Sequence, residues 1–375
     1  MKFFLTIISL TVVLQVTAQE HYLIVGTYNS PKSEGIYVYR FNSQDGTAKE
    51  VSHIKTSNPS FIAISPNEKY IYAVNENADS TKYIVTGHVA AFSFNKKKGT
   101  LRFLNKQESD GKHPCYVTVD QTGEWVIAGN YSSGNFSLLP VNRKGKLLTS
   151  KQTIQHYGSG PNQSRQQSPH VHGIFLKKNN SEILVTDLGI DKIMQYKFNA
   201  GNGEIVPADI PFTATAAGGG PRHLDFHPNG KYTYLVEELT GTVRAYKDSA
   251  GSLQEIQSIS TLQPNYKGYA GSADIHVSPD GKFLYCSNRG NSNTIAIYSI
   301  NTDSGILTLV GHQETLGEAP RNFNFDPTGK FLLVANQNSD QVVVFKRDET
   351  TGLLTDTGHR IEVGKPVCIK WIKTN

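Results

Sequence analysis

Along this chain one short pattern of apolar and polar positions keeps returning: an extended run rich in aromatic and β-branched residues, a tight turn, then a second such run. Its clearest copy is residues 218–239, GGGPRHLDFHPNGKYTYLVEEL. Residues 222–227 and 231–238 predict two strands, and Pro228, Asn229 and Gly230 between them predict a tight turn. Proline ahead of the first run suits a strand start, where a missing N–H costs the ladder least. Arg222 and Glu238 stand equally far from Gly230, so an antiparallel pair folded there brings a basic and an acidic group to one open end.

The same unit recurs from end to end. Residues 22–25 and 35–41 read as two strands around the loop 28–34. Pro59 opens the first complete copy, which closes on Asn75 and Glu76. Later copies begin at Pro114, Pro169, Pro221, Ser272 and Pro320, and a truncated one, KPVCIKWI from Lys365, ends the sequence. A spacing of about 46–55 residues is that of four-stranded propeller blades. Third strands are expected at 242–246, 294–300 and 342–346, each followed by a Gly-marked turn and a fourth. No window carries sustained helical periodicity with caps. The last copy has only its first strand and the N-terminal strands lack one, so the two ends are expected to share a blade and leave no free edge. The fold predicted is all-β, a seven-bladed β-propeller of four-stranded blades, with residues 19–375 forming one domain. The segment 158–167, GSGPNQSRQQ, reads as a longer loop between the second and third blades.

Because the copies share a register, equivalent positions can be compared around the ring. One residue past the proline stand Ser60, Cys115, His170, Arg222, Ala273, Arg321 and Val367. Three residues past it stand Ile62, Val117, His172, Leu224, Ile275, Phe323 and Ile369, so His172 interrupts an otherwise apolar ring. At the far end of the second strand stand Tyr28, Glu76, Tyr131, Leu188, Glu238, Arg289 and Gln337. The first strand of a blade is innermost, so its start and the end of the second strand open at one mouth of the central channel. Guanidinium forks suit carboxylate or phosphate, so Arg222, Arg289 and Arg321 at that mouth imply an anionic or oxyanion-forming ligand. Arg321, His170, Glu76 and Gln337 are the expected substrate contacts. Glu238 beside Arg222 reads equally as a structural ion pair, and Glu76 as a rim charge.

Other chemistry is sparser. Gly218, Gly219 and Gly220 lack the Lys-Ser/Thr of a phosphate loop and read as a connector. His223 and His227 lie roughly 13 Å apart along an extended strand, too far to share a metal. The sequence carries no motif for a cofactor or a metal. Lys2, an apolar run at 3–13 and small residues at 16–18 make residues 1–18 a secretory signal peptide, so the mature chain is expected in the periplasm or outside the cell, with no membrane span. A net charge of +5, with the basic residues scattered, argues against nucleic acid as a partner. Cys115, Cys286 and Cys368 are odd in number and far apart, so free buried thiols are expected.

The motifs GPRHLDFHPNGKYTYLVEEL, SADIHVSPDGKFLYCSNRG and APRNFNFDPTGKFLLVANQ, with VHG around His172, resemble the seven-bladed propeller lactonases. That family includes bacterial 6-phosphogluconolactonases and fungal carboxy-cis,cis-muconate cyclases. The resemblance spans essentially the whole chain after residue 18. It implies a site made of the VHG histidine His172, the GPR arginine Arg222, the glutamate Glu238 and the arginine Arg289, acting on a small-molecule lactone or anionic sugar acid. Two arginines would polarise the lactone carbonyl while Glu238 or His172 takes a proton from water, with activity falling as the imidazole titrates near roughly pH 6–7. A lactone-forming cyclase and a non-catalytic binding propeller remain open. The leader also sits oddly with a phosphorylated sugar of the cytoplasm.

Overall fold

The computed structural model describes residues 19–80, 85–249 and 251–374, and the expected leader lies outside them. The described residues form seven four-stranded antiparallel sheets arranged as the blades of a propeller. In chain order blade one spans 62–108, two 114–155, three 171–214, four 221–260, five 272–314 and six 320–362. Blade seven takes its inner strand, Pro366–Lys373, from the end of the chain. That strand pairs with Glu20–Thr27, and Gly35–Asn42 and Ala48–Lys55 continue outward. Seven blades and a shared closing blade are as the sequence predicts.

Blade four shows why these residues fold this way. Its strands are Pro221–Phe226, Tyr232–Glu237, Thr242–Ser249 and Ser252–Ser260. The second strand is buried at every position, as are Trp125–Asn130, Phe283–Asn288 and Phe331–Asn336 in other blades. A strand buried on both faces reads as an unbroken apolar run rather than as an alternation. Outer strands such as Ala48–Lys55 expose one face and carry the charges. Core clusters form between blades: Tyr234 and Val243 of blade four pack with Ile275 and Cys286 of blade five.

A second device locks neighbouring blades. The turn glycines Gly46, Gly99, Gly145, Gly203, Gly305 and Gly352 all have positive φ and press on an aromatic ring near the start of the preceding blade's second strand. The rings are Phe331, Tyr22, Tyr70, Trp125, Tyr232 and Phe283, and a Cβ on any of these glycines would come within 2.0–2.8 Å of its ring. The seventh joint differs. Blade three starts its second strand with Glu182, and the corresponding Gly251 of blade four meets nothing within 4 Å. A groove of about 660 Å³, lined in part by Glu182, Tyr196, Ile210 and Gly251, opens at that seam.

One register differs from the sequence reading. In blade four Pro221 pairs with Glu237 and His223 with Val236, leaving Arg222 unpaired as a bulge. In blade three the equivalent pair is Val171 with Asp187, followed by Gly173 with Thr186, so the bulged residue is His172. Pro169 lies in the approach to the strand and is no counterpart of Pro221. His172 therefore does not break the apolar ring, where Ile174 stands instead. It belongs with Cys115, Arg222 and Arg321, each skipped by the ladder in the same way. A bulge re-aims one side chain without ending the strand, and here it turns that residue into the channel.

Candidate active site at the channel mouth

Ser60, Cys115, His172, Arg222, Arg321 and Val367, with Phe61, His223 and Asn322, enclose one small axial cavity. The room inside is about 10 Å³ for the centre of a water-sized sphere, the space of roughly one water. This cavity is too small for a sugar ring, so a ligand of that size that reaches these residues must extend out of it toward the mouth.

Toward the mouth the charges form one cluster around Glu238. Arg222 Nε donates to Glu238 Oε2 at 3.0 Å, the bulged side chain meeting the residue that follows the second strand. Arg289, the residue after the second strand of blade five, brings Nη2 within 3.0 Å of the same oxygen. That nitrogen is buried and makes no aligned hydrogen bond, while Arg289 Nε donates to Gly271 O at 2.8 Å. Arg222 Nη1 donates to the carbonyl of Ala273. The other carboxylate oxygen, Oε1, accepts from Arg165 Nη2 at 2.7 Å and from Tyr269 Oη at 2.9 Å. Burial alone would raise the Glu238 carboxyl, but Arg289, Arg222, His172 and Arg165 together hold it well below the usual carboxylate range. Burial, then Arg289 and Arg321, pushes the Arg222 guanidinium down to about 10, so it stays charged at neutral pH.

His172 lies between the rings of Tyr131 and His223, and its Nδ1 is 3.9 Å from Cys115 Sγ. Burial first, then Arg222 and His223, pushes its pKa well below the usual histidine value. The imidazole is therefore neutral at pH 7, and the expected fall in activity near pH 6–7 moves to more acid conditions. Burial also raises the Cys115 thiol, so it stays protonated and is no nucleophile.

The remaining candidates make no direct contact with Glu238 among the described residues. Arg321 lies over the Tyr28 ring at 5.3 Å, and Tyr28 Oη donates to Glu76 Oε2 at 2.6 Å, so Glu76 offsets Arg321 on the far side of the mouth. His170 stacks on Tyr131 at 4.4 Å and donates from Nδ1 to the Tyr131 carbonyl, which makes it part of the rim's packing. Gln337 begins the short 3₁₀ turn Gln337–Ser339 on the same rim, and no side-chain hydrogen bond ties it to the arginines among the described residues. Arg165 and Tyr269 were not anticipated from sequence. Both come from irregular connections, where strand periodicity gives no register, and the only sequence signal was the unusual length of the 158–167 loop.

Beneath the mouth a second polar chain supports Arg222. His223 Nδ1 donates to Asp274 Oδ1 at 2.7 Å, which leaves Nε2 to accept from Arg222 Nη1 at 3.3 Å. His223 is pushed down to about 4 by burial and Arg222, against the pull of Asp274. Asp274 Oδ2 also faces His276 Nε2 at 3.2 Å, and Asp225 lies 3.7 Å from His276 Nδ1. Burial would lower His276, but Asp274 and Asp225 raise it to about 9.

Residues 22–371 match the family described as lactonase, 7-bladed beta-propeller. The 6-phosphogluconolactonase of Formosa agariphila is 39% identical over 88% of this chain and 94% of its own length. That of Bacillus subtilis is 37% identical over 93% and 97%. Among solved structures, the periplasmic gluconolactonase of Pseudomonas aeruginosa superposes with a TM-score of 0.90 at 33% identity, covering 95% of this chain and all of that one.

Proposed function

This chain belongs to the seven-bladed β-propeller lactonase family, and on that premise we propose that it hydrolyses a sugar-type lactone at the channel mouth. The observation that carries the assignment of roles is the buried Arg222–Glu238–Arg289 cluster, in which Arg289 Nη2 faces Glu238 without an aligned hydrogen bond and so keeps an unspent donor. Arg289 and Arg222 receive the lactone carbonyl oxygen and hold the negative charge that develops on it. Such preorganised donors are typically worth about 10²–10³ in rate. Glu238 fixes both forks. Its two oxygens are engaged by three guanidiniums and a phenol, whereas neutral His172 has only a thiol near Nδ1. His172 is therefore the base that takes the proton as water attacks, for roughly 10²–10⁴-fold. Water's oxygen bonds to the carbonyl carbon, the ring C–O bond breaks, and the proton passes to the departing alkoxide to give the open hydroxy acid.

Export forms part of the proposal, supported by the leader-like residues 1–18 and by the periplasmic location of the Pseudomonas relative. No helix among the described residues is long and apolar enough to cross a membrane. The test is ring opening of gluconolactone, galactonolactone and 6-phosphogluconolactone followed by pH-stat on the purified protein. Turnover of at least one, abolished in Arg289→Ala, supports the assignment. Failure on all three, or full activity in Arg289→Ala, sinks it.

A further inference from the structure

Four guanidiniums, those of Arg165, Arg222, Arg289 and Arg321, face this mouth against two carboxylates, Glu238 and Glu76. They are not held alike. Arg222 rises from a framework strand and Arg289 directly follows one; both are tied to backbone carbonyls and share Glu238 Oε2. Arg321 is matched by Tyr28 and Glu76. Arg165 stands on the 158–167 connection, and its guanidinium bonds go to side chains: Glu238 Oε1, Tyr131 Oη and Tyr269 Oη. Its side chain is 32% exposed where that of Arg222 is 2% exposed, and Tyr269 is half exposed.

The loop under it is nevertheless built. Gln166 is fully buried and donates to Leu188 O and Asp191 Oδ1, and Asn162 Oδ1 accepts from the backbone of Ser164 and Arg165. The stem of Arg165 is pinned while its head rests on partners that a ligand can replace.

We propose that Arg165 and Tyr269 form a clasp over the outer oxygen of Glu238, opened when Arg165 passes its guanidinium to an anionic group on the ligand. Arg165 is then the residue that separates phosphorylated from unphosphorylated sugar lactones and acids. The exchange is nearly even in electrostatics, since one carboxylate partner is traded for another anion and the fork is preorganised for either. Tyr269 stays on Oε1, so Glu238 keeps a donor when Arg165 leaves. A ligand whose one anionic group is the carboxylate held by Arg222 and Arg289 has no second anion to offer Arg165, and the clasp stays shut above it. This inference rests on the sugar-lactone reading for its choice of ligands but not on turnover.

The experiment is calorimetric binding of two product acids, 6-phosphogluconate and gluconate, to the parent, Arg165→Gln and Arg165→Lys, with melting curves to confirm that each variant is folded. The parent should prefer the phosphorylated acid. Arg165→Gln should reduce that preference about 10- to 100-fold, the size of a lost charge-assisted contact, and Arg165→Lys should fall between, keeping the charge but losing the fork. Equal loss for both acids, or no loss for either in a folded variant, overturns the proposal. If no lactone is turned over by the parent, the reading of the previous subsection fails while the binding ratio still decides this one.

Discussion

Glu238→Gln tests the central cluster, because it removes a charge and keeps the shape. The carboxylate is 5% exposed, and two of the three cations on it, Arg222 and Arg289, are 2% and 16% exposed, so neither of these can turn fully to water once the charge is gone. Removing one partner of a buried pair typically costs about 3–5 kcal/mol. At roughly 2 °C per kcal/mol for a chain of this size, Glu238→Gln should melt about 6–10 °C below the parent at pH 7.5 in chloride. Uncompensated guanidiniums bind anions, so sulfate at matched ionic strength should restore several degrees to the variant and little to the parent. The pH dependence has a definite sign. The folded-state pKa of Glu238 is depressed, so its contribution is complete above the unfolded value near 4.3 and is lost only as pH falls through the lower folded value. The gap between parent and variant should stay constant from pH 5 to 8 and narrow below about pH 4. Differential scanning fluorimetry across that range suffices. A variant melting within about 1 °C of the parent, with no extra gain from sulfate, would refute the view that Glu238 neutralises these arginines.

Three further outcomes are expected. His172→Leu should keep the parent's melting temperature within about 2 °C, since the only side-chain hydrogen-bonding contact it loses among the described residues is a thiol at 3.9 Å, yet lose about 10²–10⁴ in kcat; early melting would make His172 structural, and full activity would remove it from the reaction. His276, raised to about 9 by Asp274 and Asp225, supplies stability that is complete below roughly pH 6.5 and disappears as pH rises through 9. The advantage of the parent over His276→Gln should shrink across that window, and a pH-independent difference would contradict the pairing. Gly203→Ala places a methyl 2.0 Å from the Trp125 ring and should cost about 2–4 kcal/mol, whereas Gly251→Ala, with the same backbone conformation and no neighbour within 4 Å, should cost about 1; equal denaturant midpoints for the two variants would show that the ring contact does not lock the blades.

Blade count and ring closure were legible because each blade repeats the same two buried runs and turn. That Arg222 and Glu238 meet at one end of the hairpin was legible from the turn at 228–230, although the bulge at Arg222 breaks the symmetric pairing expected about Gly230. The register of blade three was not, because Pro169 mimics the proline that begins other blades while the ladder starts at Val171. A bulge also adds a residue that no alternation reports, so the shared aim of Cys115, His172, Arg222 and Arg321 emerged only from the pairing. Arg165, Tyr269 and the Asp274–His276 pair lay beyond the reach of pattern. The first two stand on irregular loops, and the last two read as ordinary polar positions of a strand until neighbouring blades bring Asp225, His223 and Asn322 against them.

The shared blade sets an order in time. Thr374 Oγ1 donates to the carbonyl of Glu20 across 354 positions of sequence, and the whole inner strand Pro366–Lys373 zips onto Glu20–Thr27 beside it. Closing a loop of that length costs about 5 kcal/mol in chain entropy before any contact returns it. The first three strands to leave a ribosome thus wait for the last one, with the inner edge of Glu20–Thr27 unpaired throughout, and six blades can assemble without a finished ring. Completion is a single late event that belongs to the final eight-residue strand, and a chain cut short before Pro366 has no way to reach it.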